Sequence, residues 1–94
     1  MVIHKRKYLN FFGYQEGDWV PCENCGATAG EFHHLIFKSQ GGSDEPHNIM
    51  ALCSSTPERT GCHEEAHNSN REYNERLKVI HREKYETWKR VTGK

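Results

Sequence analysis

Four Cys and seven His are the side chains of this 94-residue chain best suited to holding a metal or moving a proton. The cysteines fall as Cys22-x2-Cys25 and Cys53-x8-Cys62. A Cys-x2-Cys pair followed by Gly26 has the spacing of a ligand loop, and four thiolates close on one tetrahedral Zn²⁺ when two such loops converge. The second pair is wider than the usual spacing of about two to four residues. Two disulfides are the alternative for the same four residues. The start, Met1-Val2-Ile3-His4-Lys5-Arg6-Lys7, carries charge but no long apolar run after it, unlike a secretory signal. A reducing, cytoplasmic setting is therefore expected, and there zinc is favoured over disulfides. Its role would be structural, because four protein ligands leave no position open for chemistry.

The histidines suggest a second ion. His63-x3-His67 follows Cys62, where a helix is expected to begin, and an i,i+4 pair presents two nitrogens to one cation. His33 and His34 lie in Glu31–Phe37, a short strand candidate on which neighbours point to opposite faces. The two would then serve different jobs. A third ligand from the strand beside His63 and His67 would leave positions open for water and phosphate, the arrangement of a catalytic ion. A neutral three-His set favours Mn²⁺, Ni²⁺ or Zn²⁺ over Mg²⁺.

These residues need elements to position them, and the chain has little material to spend. Hydrophobic residues make up 34% of it and the mean hydropathy is -0.96. One domain spanning 1–94 is expected, with a thin core and a metal staple. No segment approaches the ~20 apolar residues of a membrane helix. Residues 1–19 form a basic and aromatic arm, with Lys5, Arg6 and Lys7 beside Tyr8, Phe11, Phe12, Tyr14 and Trp19. Gly13 and Gly17 break any long helix there. The arm's aromatics fill the core, or its charges and rings touch nucleic acid. Residues 38–47 read as a loop, 48–53 as a short apolar segment returning beside the first strand, and Ser54–Gly61 as a surface loop. A helical stripe runs through Tyr73, Leu77, Ile80, Lys84, Trp88 and Val91. Lys84 is its flaw, with Tyr85 available to cover the gap. Residues 62–91 form one helix or two, with Asn68-Ser69-Asn70 as the expected break.

The formal charge is +0, but it is unevenly spread. Residues 1–20 carry three basic and two acidic side chains, residues 21–70 two and seven, and residues 71–94 eight and four. An acidic middle between basic ends fits a divalent-metal centre flanked by phosphate-attracting arms; ordinary solvated surface accounts for it as well.

Taken together, Phe32-His33-His34-Leu35, Lys38-Ser39-x-Gly41-Gly42-Ser43-Asp44, Asn48-Ile49, Leu52-Cys53 and Cys62-His63-x3-His67 resemble the HNH endonucleases, and in particular their zinc-containing four-Cys branch. The resemblance covers residues 20–68. It implies a small α+β fold, a ββα-metal, treble-clef-like core with a structural zinc on Cys22, Cys25, Cys53 and Cys62, followed by a basic C-terminal helix over 69–94. It implies that His34 is the general base and that Asn48 supports the hairpin loop and the base. It implies that His33, His63 and His67 hold a catalytic divalent ion, with His63 either on the metal or behind it. The family often works with Mg²⁺ or Mn²⁺; the three imidazoles add Ni²⁺ and Zn²⁺ as candidates. Two departures stand out: the x8 spacing where the family usually has x2, and the lack of the Asp ligand common in the family.

The function expected is hydrolysis of DNA phosphodiester bonds, with low sequence specificity because no base-reading element is evident. Lys38, Arg59, Lys5, Arg6, Lys7 and the basic face of 71–94 are the expected phosphate contacts. The oligomeric state is open. Phage packaging or mobile-element proteins are the partners such a small nuclease would serve. A non-catalytic zinc-ribbon DNA-binding or adaptor module is the alternative. The Cys set and basic arms suit it equally, but it has no use for the His-His and His-x3-His pattern.

Overall fold

Strand alternation organises this fold around one buried hairpin. The computed structural model describes residues 3–68 and 71–93. Helix α1 (Ile3–Phe11) leads to strand β1 (Glu31–His34), strand β2 (Ile49–Leu52), helix α2 (Cys62–Asn68) and helix α3 (Arg71–Thr92). The strands pair antiparallel in the register Glu31↔Leu52, Phe32↔Ala51, His33↔Met50 and His34↔Ile49. All four residues of β2 are buried, because both faces of the hairpin are covered. Ile49 and Ala51 pack with Tyr8, Leu9, Phe12 and Val20 on the α1 side. Met50 and Leu52 pack with Cys22, Cys53, Cys62, Ala66 and Leu77 on the side of α2 and α3. The period-two rule of a strand thus divides the core into two clusters.

The arm is more ordered than the glycines alone suggest. It folds as α1, with Tyr8 and Leu9 buried, and Gly13 ends the helix instead of interrupting it. Gly13 sits at φ +79°, and the Tyr14 amide donates to the Leu9 carbonyl at 2.8 Å, the six-to-one bond of a Schellman cap. A Cβ there would also meet the Trp88 ring at 3.3 Å. The other arm aromatics divide: Phe12 is buried, Phe11 stacks on Tyr85, and Trp19 stays 61% exposed.

In α3 the stripe passes through His81, which the apolar spacing does not reveal. Lys84 keeps its place by donating to the Tyr8 hydroxyl at 3.1 Å and lying over the Tyr8 and Phe12 rings. Trp88 donates to the Phe11 carbonyl at 2.6 Å, and Val91 is exposed. Of the expected break at Asn68-Ser69-Asn70, Asn68 ends α2, and Ser69 and Asn70 lie outside the described residues. Among them, no helix is long and apolar enough to cross a membrane.

His81 belongs to a buried polar network that joins α3 to α1, β2 and the segments carrying Glu23 and Pro46. Its Nδ1 faces Glu23 Oε1 at 2.8 Å and its Nε2 faces the Pro46 carbonyl at 2.7 Å. Both ring nitrogens thus face oxygen acceptors. Glu23 Oε2 accepts from the Tyr8 hydroxyl at 2.6 Å and the Ala51 amide at 3.2 Å. The side chains of His81 and Glu23 are 0% and 2% exposed. Burial alone would raise the Glu23 carboxyl, but the bond and charge of His81, the Tyr8 hydroxyl and Lys84 hold it below its ordinary value. Its folded pKa therefore lies below the unfolded one. The stabilisation is complete above the ordinary carboxylate range and is lost as pH falls through the folded value. We expect His81→Leu, which strands the carboxylate, to cost about 3–5 kcal/mol near neutral pH. Glu23→Leu/His81→Leu should recover much of that loss. Denaturant midpoints measured from pH 7 down to the acid limit test both, and an unchanged midpoint in the single variant would rule out a stabilising ion pair.

Candidate metal centres and active site

The strand that divides the core also separates the histidines. His33 pairs across from Met50 and so faces α2; His34 is the next residue and faces α1. On α2, His63 and His67 are one turn apart on one face. The three rings of His33, His63 and His67 meet there. Their centroids lie 5.3 Å apart for His33–His63, 5.2 Å for His33–His67 and 4.7 Å for His63–His67. The Nε2 atoms of His63 and His67 are 3.1 Å apart, and one nitrogen from each of the three lies within 4.8 Å of the others. Burial, followed by the like charges of His63, His67 and His34, pushes His33 down to about 4. Burial and then His67 lower His63 as well. Near neutral pH these two rings are uncharged donors with a lone pair to give, the form a metal requires. The donor set fits a borderline divalent ion.

The Phe37 ring closes one side of this cluster, stacked on His67 at 5.3 Å and edge-on to His33 at 5.8 Å. The cleft in front is about 340 Å³ and is lined by Phe32, His33, His34, Phe37, Lys38, Ser39, His63 and His67. Phe37 is a site residue that spacing does not single out; its only sequence signal is that it ends the apolar strand run.

On the opposite face, His34 Nε2 lies 2.8 Å from Asp44 Oδ1, and Lys38 donates to Asp44 Oδ2 at 3.2 Å. The bond to His34, then Lys38, lowers the Asp44 carboxyl. His4 of α1 meets His34 with ring centroids 4.5 Å apart. Asp44 reads from sequence as a turn former within a longer motif, and His4 as part of the arm. The contact of both with His34 depends on how the loop and α1 dock, which local spacing does not encode.

Asn48 holds the loop that carries Asp44. It is 4% exposed. Its Oδ1 accepts from the Ile36 amide at 2.8 Å, and its Nδ2 donates to the Ile36 and Ser43 carbonyls at 3.1 and 2.9 Å. Gly42 must be bare for this lock to close: a Cβ there would stand 1.7 Å from the Ile36 carbonyl oxygen and 3.0 Å from Asn48 Nδ2. All three Asn48 side-chain bonds reach the loop backbone, so its support of His34 runs through the loop.

The four cysteines converge despite the wide second spacing. A bridge between Thr56 and Arg59 folds residues 54–61 out as a loop and brings its ends together. The His63 amide then bonds the Cys53 carbonyl at 3.1 Å. One sulfur from each of Cys22, Cys25, Cys53 and Cys62 lies within 4.8 Å of the others, and none is disulfide-bonded. The four thiols are positioned to hold a metal such as zinc. Burial would raise the Cys53 thiol, but the Cys62 amide, the neighbouring thiols and Arg59 bring it down to about 7. Arg59 Nη2 donates to Cys53 Sγ at 2.9 Å and approaches Cys25 Sγ at 3.6 Å. This guanidinium faces the sulfur cluster, where it offsets thiolate charge. Two basic side chains of the arm are also engaged within the chain: Lys7 pairs with Glu45, and Lys5 lies 5.4 Å from the Phe32 ring centroid. Arg6 is exposed.

No curated relative and no solved structure matches the chain. The family model of the HNH endonucleases matches residues 22–69, which carry both metal clusters and His34. That span is just over half of the sequence, and the chain belongs to the HNH endonuclease family.

Proposed function

We propose that this chain hydrolyses DNA phosphodiester bonds with little sequence preference, nicking the duplex and leaving 5′-phosphate and 3′-hydroxyl ends. The observation that carries the reading is the convergence of His33, His63 and His67 at a cleft that His34 also lines. A divalent ion held by those three imidazoles would neutralise charge on the scissile phosphate and its leaving oxygen. His34 takes the proton of the attacking water, with Asp44 fixing one ring nitrogen so that the other is left to accept. Asn48 and Gly42 keep the loop shape that places Asp44. Phe37 shields the ligand rings. Arg6 and the exposed Arg71, Arg76 and Arg82 of α3 supply charge for phosphate contacts, with Lys38, Lys5, Lys7 and Arg59 reaching DNA only by giving up part of their present pairing. Binding should weaken steeply with salt.

The test is supercoiled plasmid, EDTA-treated protein and a titration with Mg²⁺, Mn²⁺, Ni²⁺ or Zn²⁺. We expect nicked circles in at least one ion and none in His67→Ala, which should lose the exchangeable ion while keeping the metal of the cysteine cluster. Plasmid that is bound but left intact in every ion would instead identify a zinc-ribbon adaptor.

A further inference from the structure

We propose that His4, His34 and Asp44 form a separate inhibitory site for a zinc-like divalent cation. One ligand atom from each of the three lies within 4.8 Å of the others. His34 Nε2 and Asp44 Oδ1 are already 2.8 Å apart, and the two imidazole centroids are 4.5 Å apart. At zinc–nitrogen and zinc–oxygen distances of roughly 2.0–2.2 Å, tetrahedral ligands stand about 3.4 Å from one another, so rotamer shifts of roughly 1–1.5 Å close the set.

The surroundings suit coordination. The His34 and Asp44 side chains are 17% and 20% exposed, sheltered yet open to an entering ion. His4 also interacts with the Phe32 backbone, the kind of partner that orients a ligating imidazole. Lys38 occupies Oδ2 of Asp44 and leaves Oδ1 for the cation. Two imidazoles and one carboxylate select borderline ions: Zn²⁺ binds more tightly than Mn²⁺, and Mg²⁺ has little affinity for imidazole.

This site lies on the α1 face of the hairpin, whereas the His33, His63 and His67 cluster lies on the α2 face. A cation there takes the His34 lone pair. The inhibitory consequence rests on the reading of His34 as the proton acceptor; the binding site itself does not. One protein would then be activated by an ion on one face and silenced by an ion on the other.

Zinc equivalents bound to the full chain, counted by calorimetric titration, test the site. His4→Asn and Asp44→Asn should each bind about one zinc fewer than the wild type. Circular dichroism checks that both remain folded. Equal zinc counts in wild type and both variants would overturn the site. In the plasmid assay with Mg²⁺ or Mn²⁺, added Zn²⁺ should suppress the wild type at least tenfold and spare His4→Asn. Equal suppression of both would overturn the inhibitory role. If the wild type cleaves nothing under any condition, a lower zinc count in the variants still supports the site, and the nuclease reading alone fails.

Discussion

Stripping metal from the four-cysteine cluster should unfold the whole chain. Cys22, Cys53 and Cys62 are 3%, 3% and 7% exposed and form part of the core cluster with Met50, Leu52, Ala66 and Leu77. Their sulfurs tie together the 21–28 turn, the end of β2 and the start of α2. Without a cation, the thiolate character that Arg59 and the Cys62 amide favour at Cys53 is set among three further sulfurs with no countercharge at the centre. Structural zinc contributes about 10–16 kcal/mol of apparent binding free energy near pH 7, against about 5–15 kcal/mol for the entire stability of a typical domain. We therefore expect a strong chelator, or Cys22→Ser, to abolish the helical circular dichroism signal, and re-added Zn²⁺ to restore it in the wild type only. His67→Ala should keep that signal. A native spectrum in metal-free protein would show that the hydrophobic clusters suffice.

Much of this design is legible in the sequence because it rests on local spacing. The Cys-x2-Cys loop, the i,i+4 histidines and the alternation of His33 and His34 each follow from the geometry of one element, and each appears in the fold. The x8 separation of Cys53 and Cys62 conceals a simple arrangement, a loop pinched at its base by Thr56 and Arg59. Features that depend on docking are not legible. α1 has a short apolar face and the charges of Lys5, Arg6 and Lys7, so its helix is recognisable chiefly once Tyr8 and Phe12 are seen against the hairpin. His81 interrupts the apolar pattern of α3, yet it is buried because Glu23 and Pro46, far away in sequence, supply its partners. Arg59 reads as a free cation on a surface loop, but the same loop folds it back onto sulfur. His4 and Asp44 reach His34 through the packing of α1 and the Asn48-locked loop.

The alternation at the hairpin yields a sharp expectation for two adjacent residues. His34→Ala should lower DNA cleavage by about 10²–10⁴-fold, the usual contribution of a positioned proton acceptor. That corresponds to about 2.7–5.5 kcal/mol of barrier. Because His34 points to the α1 face, its loss should leave the ion of the α2 face bound and DNA affinity unchanged. His33→Ala, one residue earlier, removes the most buried ring of the His33, His63 and His67 set and should release that ion. Excess Mn²⁺ should partly rescue His33→Ala by mass action and do nothing for His34→Ala. Asp44→Asn should fall between wild type and His34→Ala, since it keeps the imidazole but loosens its hold on one ring nitrogen. Single-turnover cleavage at saturating protein, paired with metal analysis of each variant, separates these cases. If His34→Ala nicks plasmid at the wild-type rate, another group takes the proton and the geometry around Asp44 serves only the loop. If it loses cleavage and the α2-face ion together, the two faces of β1 are not independent, and the division of labour derived from strand alternation fails with them.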